Sequence, residues 1–199
     1  MAKEYWKGGN MINPLPVVMV SSKRNDEKPN IITVAWAGTV CTNPPMVSIS
    51  IKPSRYSYDI IKESKEFVIN LVTKDICKVT DFCGVKSGRD IDKFKETGLT
   101  PFSSKYVKCP SIDESPVNIE CRVERIIDLG SHSMFVARVL GVTVENENLS
   151  KNNKLDLNKL GLVTYSHGEY CLVGEKIGKF GFAVQKRKGK RRKKQLSLN

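Results

Sequence analysis

Apolar positions in this chain fall into short runs punctuated by Gly, Pro and Asn, and most of these runs have the length of strands. Pro14 to Ser22 (PLPVVMVSS) reads as a first strand, and the charged stretch Lys23 to Pro29 as the hairpin loop behind it. Ile31-Ile32-Thr33-Val34 is β-branched and leads into the small residues Ala35, Ala37 and Gly38, which leave room for a flat group against the backbone. Asn43-Pro44-Pro45 turns the chain into a strand from Val47 to Ile51, and Phe67 to Leu71 is another. Val117 to Ile127 alternates polar and apolar residues, and Met134 to Val144 answers it across the turn Asp128 to His132, a strong hairpin pattern. Tyr165 to Val173 reads as a last short strand.

Helical patterning is sparse. Asp59 to Glu66 carries Ile60 and Ile61 on one face, with Ser54 or Ser57 as its cap. Thr73 to Cys83 places Ile76, Val79 and Phe82 on one side and stops at Gly84. The loop Ser87-Gly88-Arg89 leads into a helical turn over Asp90 to Phe94, bringing a rigid cation, Arg89, and a mobile one, Lys93. Met1 to Asn13 is an arm whose Trp6 packs on the domain or on a partner. Gly98 to Ser115 is irregular, and Glu145 to Lys159 is a polar loop in which the sequon at Asn148 is only a polar sequence. Many strands with few helices predict a mainly β, antiparallel barrel, and 199 residues suffice for one sizeable core, spanning 1–185.

The chemistry concentrates where the strand Val47 to Ile51 gives way to a helix. Lys52-Pro53-Ser54-Arg55-Tyr56-Ser57-Tyr58 is cationic and hydroxyl-bearing, and a helix start with free N–H groups, an arginine fork and serines suits a terminal phosphate. Spacing alone leaves open the alternative that Arg55 merely pairs with a surface carboxylate. A flat strand surface beside such a socket points to a nucleotide-like cofactor. Trp36 offers either a stacking face or core bulk, and Asn70 either contacts a ligand or is a satisfied polar group near a strand end. His132, in the turn GSHSMF, is by its type a surface or core histidine as readily as a site residue. No catalytic triad, carboxylate pair, P-loop or GxGxxG unit is present in the sequence.

Several separated stretches, in order from Tyr5 to Phe182, resemble the flavoredoxin branch of the flavin-reductase-like proteins: ITVAWAGTVCTNPP, SRYSYDIIKES, FVINL, CGVKSGRDIDKF, GSHSMFVARVLGV and YSHGEYCLVGEKIGKFGF. The resemblance implies an FMN-binding split β-barrel of antiparallel, Greek-key type that pairs as a homodimer. It implies an oxidoreductase that passes electrons or hydride through FMN, with NAD(P)H as a candidate co-substrate or a redox protein as donor. The expected cofactor contacts are Asn30, Thr33, Val34, Ala35 and Trp36 on the first central strand, Ser48, Ile49 and Ser50 on the next, and Ser54, Arg55 and Ser57 at the helix start. Asn70, Lys93, His132 and Tyr165 complete the set, with Ser57 and Arg55 at the phosphate, Tyr165 packing on the ring, and His132 as the catalytic residue beside the flavin. Either Lys93 or His132 is the cation expected near N1, where positive charge favours the reduced anion.

Composition refines this picture. The net charge of +12 drops to +4 without Lys186 to Lys194, which holds eight of the 33 basic residues and no acid. The segment 186–199 is expected to be a disordered, solvated tail. It supports an alternative reading, a non-catalytic FMN-binding protein tethered to nucleic acid or an acidic partner, but the basic run has no interleaved aromatics to stack on bases, so nucleic-acid binding is not expected. Six cysteines without C-x-x-C spacing read as reduced thiols, and two histidines leave little material for a zinc or iron centre. The longest apolar run, Leu15 to Val20, is too short to cross a bilayer and the amino end lacks signal-peptide order, so a cytoplasmic protein with no membrane contact is expected.

Overall fold

A computed structural model describes residues 1–184, so the expected basic tail, 186–199, lies outside the described residues. The chain opens with an extended arm in which Trp6 is 81% exposed. The predicted first strand is divided in two, β1 (Leu15–Pro16) and β2 (Val18–Ser22), which enter different sheets. Next come β3 (Asn30–Val34), β4 (Ala37–Cys41), β5 (Met46–Ile51), α1 (Tyr56–Ser64) and β6 (Glu66–Leu71). They are followed by α2 (Cys77–Val85), α3 (Lys93–Thr97) and the two-residue strands β7 (Pro101–Phe102) and β8 (Ser111–Ile112). The long hairpin β9 (Val117–Asp128) and β10 (Ser133–Val144) precedes β11 (Val163–Ser166) and β12 (Glu169–Leu172), so the predicted last strand is a hairpin. No helix among the described residues is long and apolar enough to cross a membrane.

Seven strands form one antiparallel sheet in the order β3-β2-β6-β9-β10-β5-β4. Period-2 alternation sends Val18, Val20, Ile32 and Val34 to one face and Val17, Met19 and Ile31 to the other. The first face joins Ile49, Phe67, Cys121 and Phe135 in a single buried cluster that contains residues from strands far apart in the order. A sheet whose one face meets itself in this way is curled, and bulges at Val136/Ala137 and Val139/Gly141 on β10 supply bends. The outcome is the expected mainly β split barrel, with α1 contributing Ile61 to the same cluster. The opposite face of β2 and β3 is covered by α2, α3 and the small sheet β1-β11-β12, through Cys83, Phe94, Leu99 and Val163.

Two helix boundaries differ from expectation. Helix α1 begins at Tyr56, Glu66 belongs to β6, and neither Ser54 nor Ser57 caps it: Arg55 occupies the N-cap without a side-chain bond, and Lys65 (φ 59°) ends the helix. A 3-10 turn over Lys74–Ile76 precedes α2, and Gly84 does not stop it but lies inside it. There the missing side chain lets the helix lie close to β3, since a Cβ would stand 3.2 Å from Cβ of Thr33.

Asn70 is a structural residue rather than a cofactor contact. It is fully buried, its Nδ2 donates to the Met19 carbonyl at 3.0 Å, and its Oδ1 accepts from Ile112 N at 3.0 Å and Asn118 Nδ2 at 2.9 Å. The amide thereby satisfies β2, β8 and β9 at once, which a buried polar group requires. Asn70→Ala orphans these partners, and equilibrium denaturant unfolding is expected to show a loss of about 3 kcal/mol or more.

Candidate functional site

Past Val34 the chain bends before entering β4, and the Trp36 carbonyl accepts from Ser50 N at 2.8 Å, which pins the bend to β5. The small side chain of Ala35 leaves this backbone open toward a cavity of about 570 Å³, closed on its other side by Asp81, Gly84 and Val85 of α2. Trp36 is 44% exposed at the rim, so its ring is not core. It stacks on His132 with centroids 5.9 Å apart and planes 11° from parallel. His132 arrives at the tip of the β9–β10 hairpin, held by the bond from Leu129 N to its carbonyl at 2.9 Å. Burial, followed by the nearby Lys52 cation, lowers the imidazole pKa from its usual value, so the ring is neutral at pH 7. Tyr165 and Tyr170 form the far wall edge to face, 5.6 Å apart, and Tyr170 Oη donates to Asp81 Oδ1 at 3.0 Å. Burial and this carboxylate raise the phenol above the ordinary tyrosine range.

A second cavity of about 290 Å³ adjoins the first, with Ile32, Lys52, Arg55 and Gly84 lining both. Its walls carry five cations, Lys52, Arg55, Lys86, Arg89 and Lys93, and no carboxylate. Among the described residues, no hydrogen bond or ion pair occupies the Arg55 guanidinium, which removes the surface-carboxylate alternative. The uncapped first turn of α1 adds backbone N–H groups. Ser57, 1% exposed, accepts from Asn30 Nδ2 at 2.7 Å, and among the described residues its own hydroxyl hydrogen has no protein acceptor.

Lys93, expected to be mobile, is fixed and 3% exposed: its Nζ donates to the Ile31 carbonyl of β3 at 2.7 Å and the Cys83 carbonyl of α2 at 2.6 Å. Asp92 explains how it gets there, because that side chain caps α3 by accepting from Lys95 N and directs the helix's first residue inward. Burial, with Arg55 adding in the same direction, brings the Lys93 pKa down to about 8, against a smaller opposing effect of Cys83. Two of its three N–H bonds are used, so one remains for a ligand.

The structure thus brings Thr33, Val34, Ala35, Trp36, Ser50, His132 and Tyr165 to the first cavity and Asn30, Ser54, Ser57 and Lys93 to the second, with Arg55 between them. Ser48, Ile49 and Asn70 line neither cavity. Ile49 is fully buried in the barrel core, and Ser48 pairs with Gly38 and Val136 beyond the cavity edge, two residues along β5 from Ser50. Residues absent from the expected contacts include Lys52, Asp81, Lys86, Arg89 and Tyr170. Lys52 was visible in the cationic run before α1, whereas Asp81 and Tyr170, 89 residues apart, carry no local signal.

The split barrel thus carries an aromatic-rimmed chamber that opens into a cationic, acid-free socket. A family model described as flavin reductase like domain matches residues 11–174, and the chain belongs to that family. It is 36% identical to an uncharacterised protein of Archaeoglobus fulgidus, over 72% of this chain and 80% of that one. Among solved structures it is similar to a flavoredoxin of Desulfovibrio vulgaris (Miyazaki F), with TM-score 0.86 and 30% identity over 92% of this chain and 100% of that one. A flavoredoxin from Methanosarcina acetivorans matches with TM-score 0.82 and 26% identity over the same shares.

The socket's affinity for an anion is coupled to Lys93. A bound dianion favours the charged amine and raises its pKa from about 8, so binding takes up a proton at higher pH. The affinity for a phosphate ester is expected to be about half its value at pH 7 by pH 8 and about tenfold lower by pH 9, and Lys93→Met to flatten this fall, as read by calorimetric titration.

Proposed function

We propose that this chain is an FMN-dependent oxidoreductase of the flavoredoxin and flavin-reductase type, with the ring in the larger cavity and the phosphate in the smaller. The observation that carries this reading is the continuity of the two: an open chamber beside the β3–β4 bend runs directly into a socket of five cations without a carboxylate. The donor set fits a phosphate ester. Arg55 contributes an unoccupied planar fork, Ser57 a free hydroxyl hydrogen, Lys93 one remaining N–H, and α1 its first backbone N–H groups. The names of the flavoredoxins it is similar to support the same assignment.

Bound FMN supplies reversible hydride and electron transfer. The protein's part is placement and electrostatics. The backbone of Val34 to Trp36 and the ring of Tyr165 line the larger cavity and would hold the flavin ring there. Lys52 lines both cavities, where its charge would favour negative charge on a bound flavin. His132, neutral at pH 7 and stacked on Trp36, stands at the open rim where a donor enters, able to give or accept a proton. Either NAD(P)H or a redox protein suits that mouth as donor.

A homodimer completes this reading. Tyr5, Trp6 and Ile12 of the arm and Ile177 and Phe180 of the carboxyl end are each more than four-fifths exposed, and a second copy is the cover that fits both ends of one chain. Sedimentation equilibrium is expected to give twice the 22.3 kDa chain mass, and a monomer at micromolar concentration refutes the dimer.

The cofactor assignment is tested by Arg55→Ala. The variant is expected to weaken FMN about tenfold or more while leaving riboflavin, which has no phosphate, within about twofold. Equal weakening of both ligands, or a colourless protein that takes up no added FMN, overturns the assignment. Oxidation of NAD(P)H by the FMN-loaded protein distinguishes a nicotinamide donor from a redox protein.

A further inference from the structure

His132 is the one imidazole that lines either cavity, and it is constrained from three directions. The bond from Leu129 N to its carbonyl at 2.9 Å pins its backbone at the hairpin tip. Trp36 lies against one ring face, with centroids 5.9 Å apart and planes 11° from parallel. The third constraint comes from the preceding residue: Ser131 Oγ stands 2.9 Å from His132 Nδ1. Ser131 also lines the larger cavity. Nε2 has no partner among the described residues, so it is the ring nitrogen left for whatever enters.

What Nε2 can do depends on where the single proton of the neutral ring sits. A neutral imidazole carries N–H on one nitrogen and a lone pair on the other, and the hydrogen bond made by the first decides the role of the second. Burial and the Lys52 cation keep this ring neutral at pH 7. The Ser131 hydroxyl has one hydrogen, and Nδ1 is its sole partner among the described residues. A ring nitrogen that is basic in the physiological range is a better acceptor than a hydroxyl oxygen that is not. Donation from Oγ to Nδ1, with the ring proton on Nε2, therefore satisfies both groups best.

We infer that Ser131 is a positioning residue: its hydroxyl fixes His132 in the Nε2–H tautomer and makes the neutral imidazole a hydrogen-bond donor toward the larger cavity. This narrows the two roles open to His132. The group it recognises at the rim beside Trp36 is an acceptor, such as a carbonyl oxygen, an anionic oxygen or an unprotonated ring nitrogen, whereas an N–H there meets another N–H. The inference rests on the flavin reading above for what fills the cavity; the tautomer itself does not depend on it.

The chain supplies its own reference for the test. It has only two histidines, and His167 is exposed in the β11–β12 turn with no ring hydrogen bond among the described residues. The experiment is nitrogen-15 NMR of the full-length chain, stripped of flavin, at about pH 8, where both rings are neutral, with His167→Gln to assign the signals. In wild type, His132 is expected to show a pyridine-type Nδ1 and a pyrrole-type Nε2, the Nε2–H tautomer being favoured about fivefold more than in His167, the scale of one hydrogen bond. Ser131→Ala is expected to bring His132 within about twofold of the His167 ratio, and Ser131→Thr, which keeps the hydroxyl, to restore the wild-type ratio. A wild-type His132 that holds its proton on Nδ1, or that matches His167, overturns the proposal whether or not the variants fold. On titration with FMN, the Nε2 signal of His132 is expected to move while that of His167 stays. An unmoved Nε2 in protein that has taken up FMN overturns the donor role in the larger cavity. Failure to take up FMN overturns the flavin reading instead, and the tautomer stands or falls on the flavin-free spectra.

Discussion

One apolar sheet face with no second layer to cover it governs this structure. The clustered residues of β2, β3, β5, β6, β9 and β10 bury themselves only if the sheet curls until its distant strands meet, and α1 plugs the gap with Ile61. The other face of β2 and β3 then has to be covered by α2 and α3. Those two coverings leave a seam along β3, and both cavities open into it.

Lys93 is the rivet of that seam. Joining the carbonyls of β3 and α2, it sets their separation and turns one corner of an apolar interface into a cationic surface. A buried ammonium is costly unless its donors are satisfied, and the two short bonds offset much of that cost. One donor of the amine has no protein partner among the described residues, so the residue that spaces the walls also puts a cation into the socket. Arg55, at the start of α1, stands nearby with the opposite design, its guanidinium without a partner among the described residues.

The far end of the site is built differently. Trp36 and His132 come from separate hairpins and meet in a stack, and Tyr165 and Tyr170 meet edge to face on the small sheet. The Tyr170–Asp81 bond ties that small sheet to α2. Aromatic surfaces at one end and fixed cations at the other divide the work between apolar contact and electrostatics, which lets one site orient a ligand along its length.

The strands were legible in the sequence because alternation and turn residues are local. Ile31 to Val34, the Asn43 to Pro45 break and the β9–β10 hairpin each announce themselves within a dozen residues. The phosphate-suited run from Lys52 to Ser57 was legible for the same reason, since arginine, serines and a helix start lie together. What the sequence could not say was which polar residues would be consumed internally. Asn70 and Ser57 are both buried side chains of hydrogen-bonding type, yet one is spent on three strands and the other keeps a hydroxyl hydrogen with no acceptor among the described residues. That outcome, like the burial of Lys93 and the meeting of Asp81 with Tyr170, depends on partners distant in the chain. The sequence by itself determined the strands and the chemical kinds of group at the helix start; only the tertiary structure decided which groups were left unsatisfied, because satisfaction is a property of neighbours that folding alone brings together.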